Sequence, residues 1–411
     1  MPERGAPMNI VMISPGFPRE QAFFARELAR TGVQVIGIGD MPVEALPPEA
    51  RDHLAHYERV QLSDSAAVIE ALRRLTRYVR IDGVECLWEP YVVLAAQVRE
   101  ALDLPGMTVA QATNFRDKEA MKRVLEEAGI RVPRHASATS VREVWDAAEA
   151  IGYPVCVKPI AGAGSADTYR VDSGEALAEV LPMVQHVERL SVEEFVEGEE
   201  YTFDTVCGDG QVLFENIGWY RPRPLIQRTV EWISPVTISL RDIEAPELAA
   251  GREMGHAVLE ALGFTSGFTH MEWFRTASGE AVFGEIGARP PGAHTVDVMN
   301  YGTDGDLFRA WAQAVVTGTT EPLVHRYNSA HIFKRASGSG RISRVEGLER
   351  LLAEHGEHIC VVDLLPIGAP RRDWRATLLS DGMVIVRHPE LDALVELTEV
   401  VGTDLQLYAE P

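Results

Sequence analysis

The sequence predicts an α/β protein built from two or three domains. Three observations carry that expectation. The first hundred residues alternate apolar, strand-like runs with helical patterns. After residue 153 the pattern shifts to closely spaced strands with hairpin turns. The 411-residue length exceeds what one ordinary core of roughly 100 to 200 residues accommodates.

Taken in order, 9–14 reads as a strand, 14–18 as a Gly/Pro turn, 20–31 as a helix and 33–38 as a second strand. That is the start of a βαβ arrangement. The turn Ser14-Pro15-Gly16-Phe17-Pro18 lacks a GxGxxG pattern, so no dinucleotide site is expected there. A strand at 83–88 precedes a helix at 91–102. Asn114 is the candidate N-cap of a helix whose apolar Met121, Val124, Leu125 and Ala128 fall on one face, with Gly129 ending it. Ser140 and Glu143 suggest a capping box for a helix carrying Val144, Trp145 and Ala148 on one face and closed by Gly152. Strands follow at 153–159 and 168–171, a helix at 174–186, then strands at 190–196 and 201–207. Gly208-Asp209-Gly210 is a hairpin turn into a strand at 211–217. A helix at 246–262 leads to strands at 267–275 and 281–287, joined around Ser278-Gly279. Residues 303–317 read as a helix, and 325–411 as a further α/β piece with strands at 359–365 and 382–387. No repeat or low-complexity stretch interrupts this order.

Composition narrows the function classes. The hydrophobic and charged fractions, 46% and 24%, are those of a globular chain rather than a disordered or fibrous one. A net charge of −22 opposes attraction to nucleic acid or to an anionic membrane face. The four cysteines (Cys86, Cys156, Cys207 and Cys360) form no CxxC, so neither a disulfide framework nor a cysteine zinc site is expected, and a reducing cytoplasm fits best. No signal peptide and no apolar run of about 18 residues is read. The twelve histidines show no HExxH, and no GxSxG or cysteine–histidine signature supports a covalent nucleophile, which weakens hydrolase readings.

The residues that could carry chemistry are mostly charged and sit at strand ends. If Ser278-Gly279 is a two-residue hairpin loop, Ala277 pairs with Glu280, and the same register places Glu272 opposite Glu285. Facing carboxylates destabilise a sheet unless a cation or proton lies between them, and oxygen donors at that spacing suit Mg²⁺. A one-residue bulge separating them onto a solvated face is the open alternative. Arg289 follows Glu285 in Glu285-Ile-Gly-Ala-Arg-Pro-Pro-Gly292, where its fork-shaped cation would suit phosphate or carboxylate. Lys158 ends a strand before a flexible small-residue loop containing Gly162, Gly164 and Ser165, a pairing that can offer ammonium and backbone N–H groups to phosphates. Lys118 falls in a first helical turn, where a cation opposes the helix dipole and an anionic partner would relieve it. The stretch 192–204 packs glutamates around a strand–turn–strand, either as a solvated face or as an edge for a purine with a carboxylate for ribose.

In sequence order, Lys118, Lys158, Gly162 to Ser165, the Glu193-to-Glu200 strand, Glu272, and Glu285 with Arg289 resemble the ATP-grasp superfamily. The resemblance implies an N-terminal Rossmann-like domain (1–112), a two-part ATP-grasp domain (113–322) with a mobile lid over about 132–192, and a small C-terminal α/β domain (323–411). It implies that Lys118 and Lys158 hold the α and β phosphates of ATP under the loop of Gly162, Gly164 and Ser165. It also implies that Glu193, Glu194 and Val196 form the adenine hinge, Glu200 holds ribose, and Glu272 and Glu285 hold Mg²⁺ or Mn²⁺. An Asn often found two residues past the second acid is Gly287 here, so the coordination of a second ion is open. The Glu-Ile-Gly-Ala-Arg-Pro-Pro-Gly run is most similar to L-amino-acid (dipeptide) ligases, with a biotin-carboxylase-like plan. The resemblance gives Arg289 the role of stabilising an acyl phosphate, with Glu231 and Gly292 as further substrate positions. Where those enzymes carry a Glu and a His three apart, this chain has Glu231 and Ser234, so amino-acid specificity is not transferred. The expected activity is ATP-dependent carboxylate–amine ligation on small molecules, with bicarbonate or formate activation as the alternative. The family often forms homodimers, although no interface is marked in this sequence.

Overall fold

The computed structural model describes residues 7–160, 167–375, 377 and 379–411, so Gly162, Gly164 and Ser165 lie outside the described residues. Four parallel strands open the chain, in spatial order Leu54–Arg59, Gln34–Gly39, Asn9–Ile13, Gly83–Glu85. The continuous apolar run at 9–13 reflects burial on both faces. Ile10 and Met12 pack with Phe24 and Leu28 of helix Gln21–Arg30, while Val11 and Ile13 pack with Val68, Leu72, Leu94 and Val98 of helices Ser65–Leu75 and Val92–Leu102.

An eight-stranded antiparallel sheet forms the body. Its order is Ala281–Gly287, Gly267–Arg275, Glu199–Gly208, Gln211–Arg221, Val236–Ser239, Asn328–Lys334, Gly382–His388, Ile359–Leu364. The turn at Asp209-Gly210 forms as the sequence indicates, both residues taking positive φ. Strands Val236–Ser239 and Asn328–Lys334, which local pattern did not reveal, splice the C-terminal stretch onto the sheet that carries the acids. A separate four-stranded antiparallel sheet is ordered His135–Ala138, Leu190–Glu194, Val155–Pro159, Tyr169–Val171. Helices Val141–Ile151 and Gly174–Val184 cover it through Val144, Ala148, Leu177 and Val184.

Two helix boundaries differ from the sequence expectation. Asn114 is the last residue of a short helix, Val109–Asn114, rather than an N-cap. The cap of the next helix, Lys118–Glu127, is Asp117, whose carboxylate accepts from Glu119 N and Ala120 N at 3.0 Å each. The expected helix at 303–317 begins only at Leu307 (Leu307–Thr317), and a separate helix, Thr295–Thr303, that the sequence reading did not expect precedes it. Asp304 turns left-handed at φ 52° to end the earlier helix, and Asp306 caps the later one by accepting from Arg309 N.

Helix Ala249–Ala261 packs against the acid-bearing strand through a glycine. A Cβ on Gly251 would fall 2.2 Å from the Trp273 ring, whose side chain is fully buried. In an exposed helix Gly→Ala is stabilising by up to about 1 kcal/mol. Here overpacking reverses the sign, and Gly251→Ala is expected to cost about 1 to 3 kcal/mol in urea unfolding. A stabilised Gly251→Ala variant would contradict this packing.

Candidate active site

The cleft between the four-stranded sheet and the edge of the large sheet encloses about 780 Å³, including solvent at its mouth. Among its lining residues are Lys118, Lys158, Glu193, Glu194, Val196, Glu200, Glu272 and Glu285. Eight sequence-selected residues, from six separate elements and the turn that holds Val196, therefore converge on one space. Arg289, Gly292 and Glu231 are not among the residues that line it.

Glu272 and Glu285 do face each other across adjacent strands, but by a different route from the two-residue loop. The loop has three residues, with Thr276 N donating to Glu280 O and Gly279 N to Thr276 O, and near the turn Arg275 pairs with Ala281. A bulge at Gly284 then shifts the register by one and brings the acids opposite. A Cβ at Gly284 would stand 2.8 Å from Glu272 O, which suits glycine to the bulge. The bulge that local reasoning held as the alternative is the device that joins the acids.

Cations and hydrogen-bond donors surround the pair. Lys118 Nζ lies 2.9 Å from Glu285 Oε2. Burial alone would raise the Glu285 carboxyl, but Lys118 and Lys158 outweigh it and hold it at about 2. Tyr220 donates its hydroxyl proton to Glu272 Oε1 at 3.1 Å. His270, two residues along the same strand face, places Nε2 3.7 Å from that oxygen while its Nδ1 meets the fully buried Asp204 at 2.5 Å. Asp204 also accepts from Thr202 Oγ1 and Asn216 Nδ2, so the network behind Glu272 is anchored on three strands.

Glu193 is enclosed between Lys122 and Lys158, with Lys158 Nζ at 2.9 Å. Burial would push its carboxyl up, yet the two ammonium groups hold it well below the usual carboxylate range, and Glu193 in turn raises Lys158 above its ordinary value. The Glu194 side chain turns away to Arg131 and to the Arg134 backbone. Glu200 is paired with Arg223 at 3.1 Å, but burial and the nearby Glu272 charge push it up to about 8. Arg223 also donates to Val196 O at 2.9 Å and lies over the Phe195 and Phe274 rings. Val196 is thus framed by a flat guanidinium that lies over two aromatic faces.

Sequence reasoning missed Lys122, Arg223, Tyr220, Asp204 and His270. A signal existed for some of them: Lys122 follows Lys118 by one helical turn, and His270 precedes Glu272 by two residues on a strand. It also missed Glu89, just past the fourth parallel strand, which accepts from Arg289 Nε at 2.8 Å and pairs with Arg116. Arg289 therefore sits at the junction of the N-terminal sheet and the acid hairpin. Gly292 O caps Thr295, and Glu231 pairs with Arg371 of the C-terminal stretch at 2.6 Å. No group of three or more His, Cys, Asp or Glu residues in a metal-holding arrangement occurs among the described residues.

The chain matches the ATP-grasp N-terminal domain over residues 27–106 and the ATP-grasp domain over 115–217. It carries both domain matches and is homologous to L-amino-acid ligases and to purine-pathway ATP-grasp enzymes. It is 24% identical to the L-arginine-specific L-amino acid ligase of Bacillus subtilis over 69% of each chain. It is 31% identical to the formate-dependent phosphoribosylglycinamide formyltransferase of a Synechococcus strain, over 59% of this chain and 63% of that one. Among solved structures, an L-amino acid ligase from Bacillus licheniformis superposes with a TM-score of 0.77 at 21% identity, over 98% of this chain and 99% of that one. N5-carboxyaminoimidazole ribonucleotide synthetase from Thermotoga maritima gives 0.72 at 18% identity, over 98% of this chain and 100% of that one. The expected mixed α/β plan, with N-terminal, ATP-grasp and C-terminal parts, is the one these structures share.

Two predictions follow from the charge pattern. Glu193→Gln leaves Lys122 and Lys158 buried without their shared anion, and loss of one partner of a buried pair costs about 3 to 5 kcal/mol. Chemical unfolding should register that loss, and an unchanged midpoint would contradict the arrangement. His135 on the four-stranded sheet meets Glu119 of the Lys118 helix at 2.8 Å, a hydrogen bond that raises the imidazole despite burial. Because the folded-state value lies above the unfolded one, this contribution is complete below about pH 6.5 and is lost as pH rises through the folded-state value. The Tm gap between wild type and His135→Gln should therefore be widest near pH 6 and narrow with rising pH.

Proposed function

We propose that the protein is an ATP-dependent carboxylate–amine ligase acting on small molecules, amino acids or close analogues among them. The observation that carries this reading is the cleft itself, where two lysines and a facing acid pair converge. A substrate carboxylate oxygen attacks the γ-phosphorus of ATP and ADP leaves, giving an acyl phosphate. The amine nitrogen then attacks the acyl carbon, phosphate departs, and the amine proton passes to solvent. Catalysis of this kind is positioning and charge stabilisation.

Each residue has a part in that scheme. Lys118 and Lys158 hold phosphate oxygens, with Gly162, Gly164 and Ser165 as the covering loop. Glu193, Glu194 and Val196 form the adenine hinge through their backbone, and Glu200 faces ribose. Glu272 and Glu285 are oxygen donors suited to Mg²⁺ or Mn²⁺, which when bound would neutralise charge on the phosphates. Arg289 steadies the acyl phosphate and the tetrahedral oxyanion. We place Gly292 and Glu231 toward the substrate side, with Glu231 held by Arg371. The segment at about 132–192 closes as a lid to keep water from the acyl phosphate. We place the enzyme in the cytoplasm with small soluble substrates; among the described residues no helix is long and apolar enough to cross a membrane.

A bicarbonate- or formate-activating enzyme is the second reading, supported by the likeness to the formate-dependent transferase. Phosphate release from ATP across pairs of amino acids, with mass spectrometry of the products, separates the two. Release requiring two amino acids and yielding a dipeptide mass supports ligation. Release with bicarbonate or formate alone supports the alternative. Arg289→Ala should cut turnover on the order of 10²-fold or more, a range taken from loss of one oxyanion donor; near-normal turnover would overturn its assigned role.

A further inference from the structure

A second cavity lies between the N-terminal sheet and the loop that enters strand Gly267–Arg275. It encloses about 510 Å³, solvent at its mouth included, and shares no lining residue with the cleft described above. Strand Gly83–Glu85 is the edge of the parallel sheet, and the cavity lies against its last residue. Arg99, from helix Val92–Leu102, also lines it. The Arg99 Nε and Nη2 both donate to Val84 O, at 2.9 and 2.5 Å. The side chain is only 7% exposed, and its remaining nitrogen, Nη1, has no hydrogen-bond partner. Gly106 completes the enclosure at φ 123°, its backbone so close that a Cβ would stand 2.8 Å from Arg99 Cδ and Nε.

Glu85 lines the same space. Among the described residues its carboxylate accepts no hydrogen bond and forms no ion pair, with Arg99 or with any other cation. Burial raises this carboxyl, and the Arg99 charge offsets that only in part. A buried charged donor without an acceptor is costly, and so is a sheltered carboxylate without a donor. The cavity therefore presents an unmet donor and an unmet acceptor of opposite charge. Its remaining wall is apolar, built from the buried Leu87, Val92, Phe264 and Phe268.

A lone anion would leave Glu85 without a donor, and a lone cation would leave Nη1 without an acceptor. The complementary molecule carries both charges on an apolar body. We propose that this cavity is a second small-molecule site, which takes a free α-amino acid with an aliphatic side chain, its ammonium group on Glu85 and one carboxylate oxygen on Arg99. This goes beyond the ligase reading and does not depend on it, since binding here needs no nucleotide. Leu87 and Ala288 of the wall lead in sequence to Glu89 and Arg289, so the site adjoins the junction of the N-terminal sheet and the acid hairpin.

Met107 also lines the cavity and gives a local probe. Protein labelled with ¹³C at its methionine methyl groups, the Met107 signal assigned through Met107→Leu, is titrated with L-leucine in the absence of nucleotide. The Met107 signal should shift and saturate. Isoamylamine, which lacks the carboxylate, and isocaproate, which lacks the ammonium group, should each bind about tenfold more weakly or worse. L-Leucine should lose a similar factor in Glu85→Gln, which keeps the size of the side chain and removes its charge. No shift up to the solubility of L-leucine, equal affinity for either half-molecule, or undiminished affinity in Glu85→Gln would overturn the proposal. If Glu85→Gln does not fold, the two half-molecules on the wild type decide.

Discussion

Glu193, shut between Lys122 and Lys158, is the contact on which the cleft depends. It joins three elements that the chain separates widely. Lys122 belongs to the helix that also carries Lys118, Lys158 ends one strand of the small sheet, and Glu193 lies on the neighbouring strand. Three charges buried together are expensive to desolvate unless geometry and pairing offset the cost. Here one anion serves two cations, leaving a surplus positive charge directed at the cleft. That surplus is what a polyphosphate needs. The same arrangement fixes the roof of the cleft relative to its floor, since Ser191, on the Glu193 strand, also donates to Glu119 beside Lys118.

On the floor the opposite problem is solved in a similar way. Glu272 and Glu285 are forced together by sheet register, a placement that costs free energy in an empty site. Lys118 and Arg289 neutralise them from the sides, and Tyr220 with the His270–Asp204 pair supports Glu272 from behind. Lys118 thus has two roles: it stabilises the acid pair by itself and lies where phosphate oxygens would compete for its charge. In the proposed function the cleft is a balanced array in which an incoming nucleotide and metal would exchange partners with groups already poised. Such preorganisation lowers the reorganisation required during phosphoryl transfer.

Much of this was legible in the sequence because it is local. The parallel N-terminal strands follow from apolar runs at 9–13 and 34–39, and the acid hairpin from two strands around Ser278-Gly279. Eight of the chosen site residues line one cleft, and each was picked out by a local signal of charge, turn or strand pattern. What was hidden is non-local or compensated. The Gly284 bulge cannot be seen without the neighbouring backbone, yet it restores the very pairing that a wrong loop length had suggested. Strands Val236–Ser239 and Asn328–Lys334 are short or flanked by polar residues, and only their partners define them. Glu89 lies 200 residues from Arg289, and no spacing rule reaches that far. Asp117 was passed over for Asn114 because both are good caps, and only the break at Phe115-Arg116 decides between them.

In the proposed reaction this cleft transfers the γ-phosphoryl group of ATP to a carboxylate oxygen before the amide bond forms. The most direct measurement follows that oxygen. Turnover with a carboxylate substrate labelled with ¹⁸O on both oxygens, followed by mass analysis of the released phosphate, reports whether the carboxylate attacked phosphorus. An acyl-phosphate route predicts one ¹⁸O atom in each phosphate formed during ligation. Unlabelled phosphate alongside amide product would contradict it, because the oxygen would then have come from water or from the nucleotide.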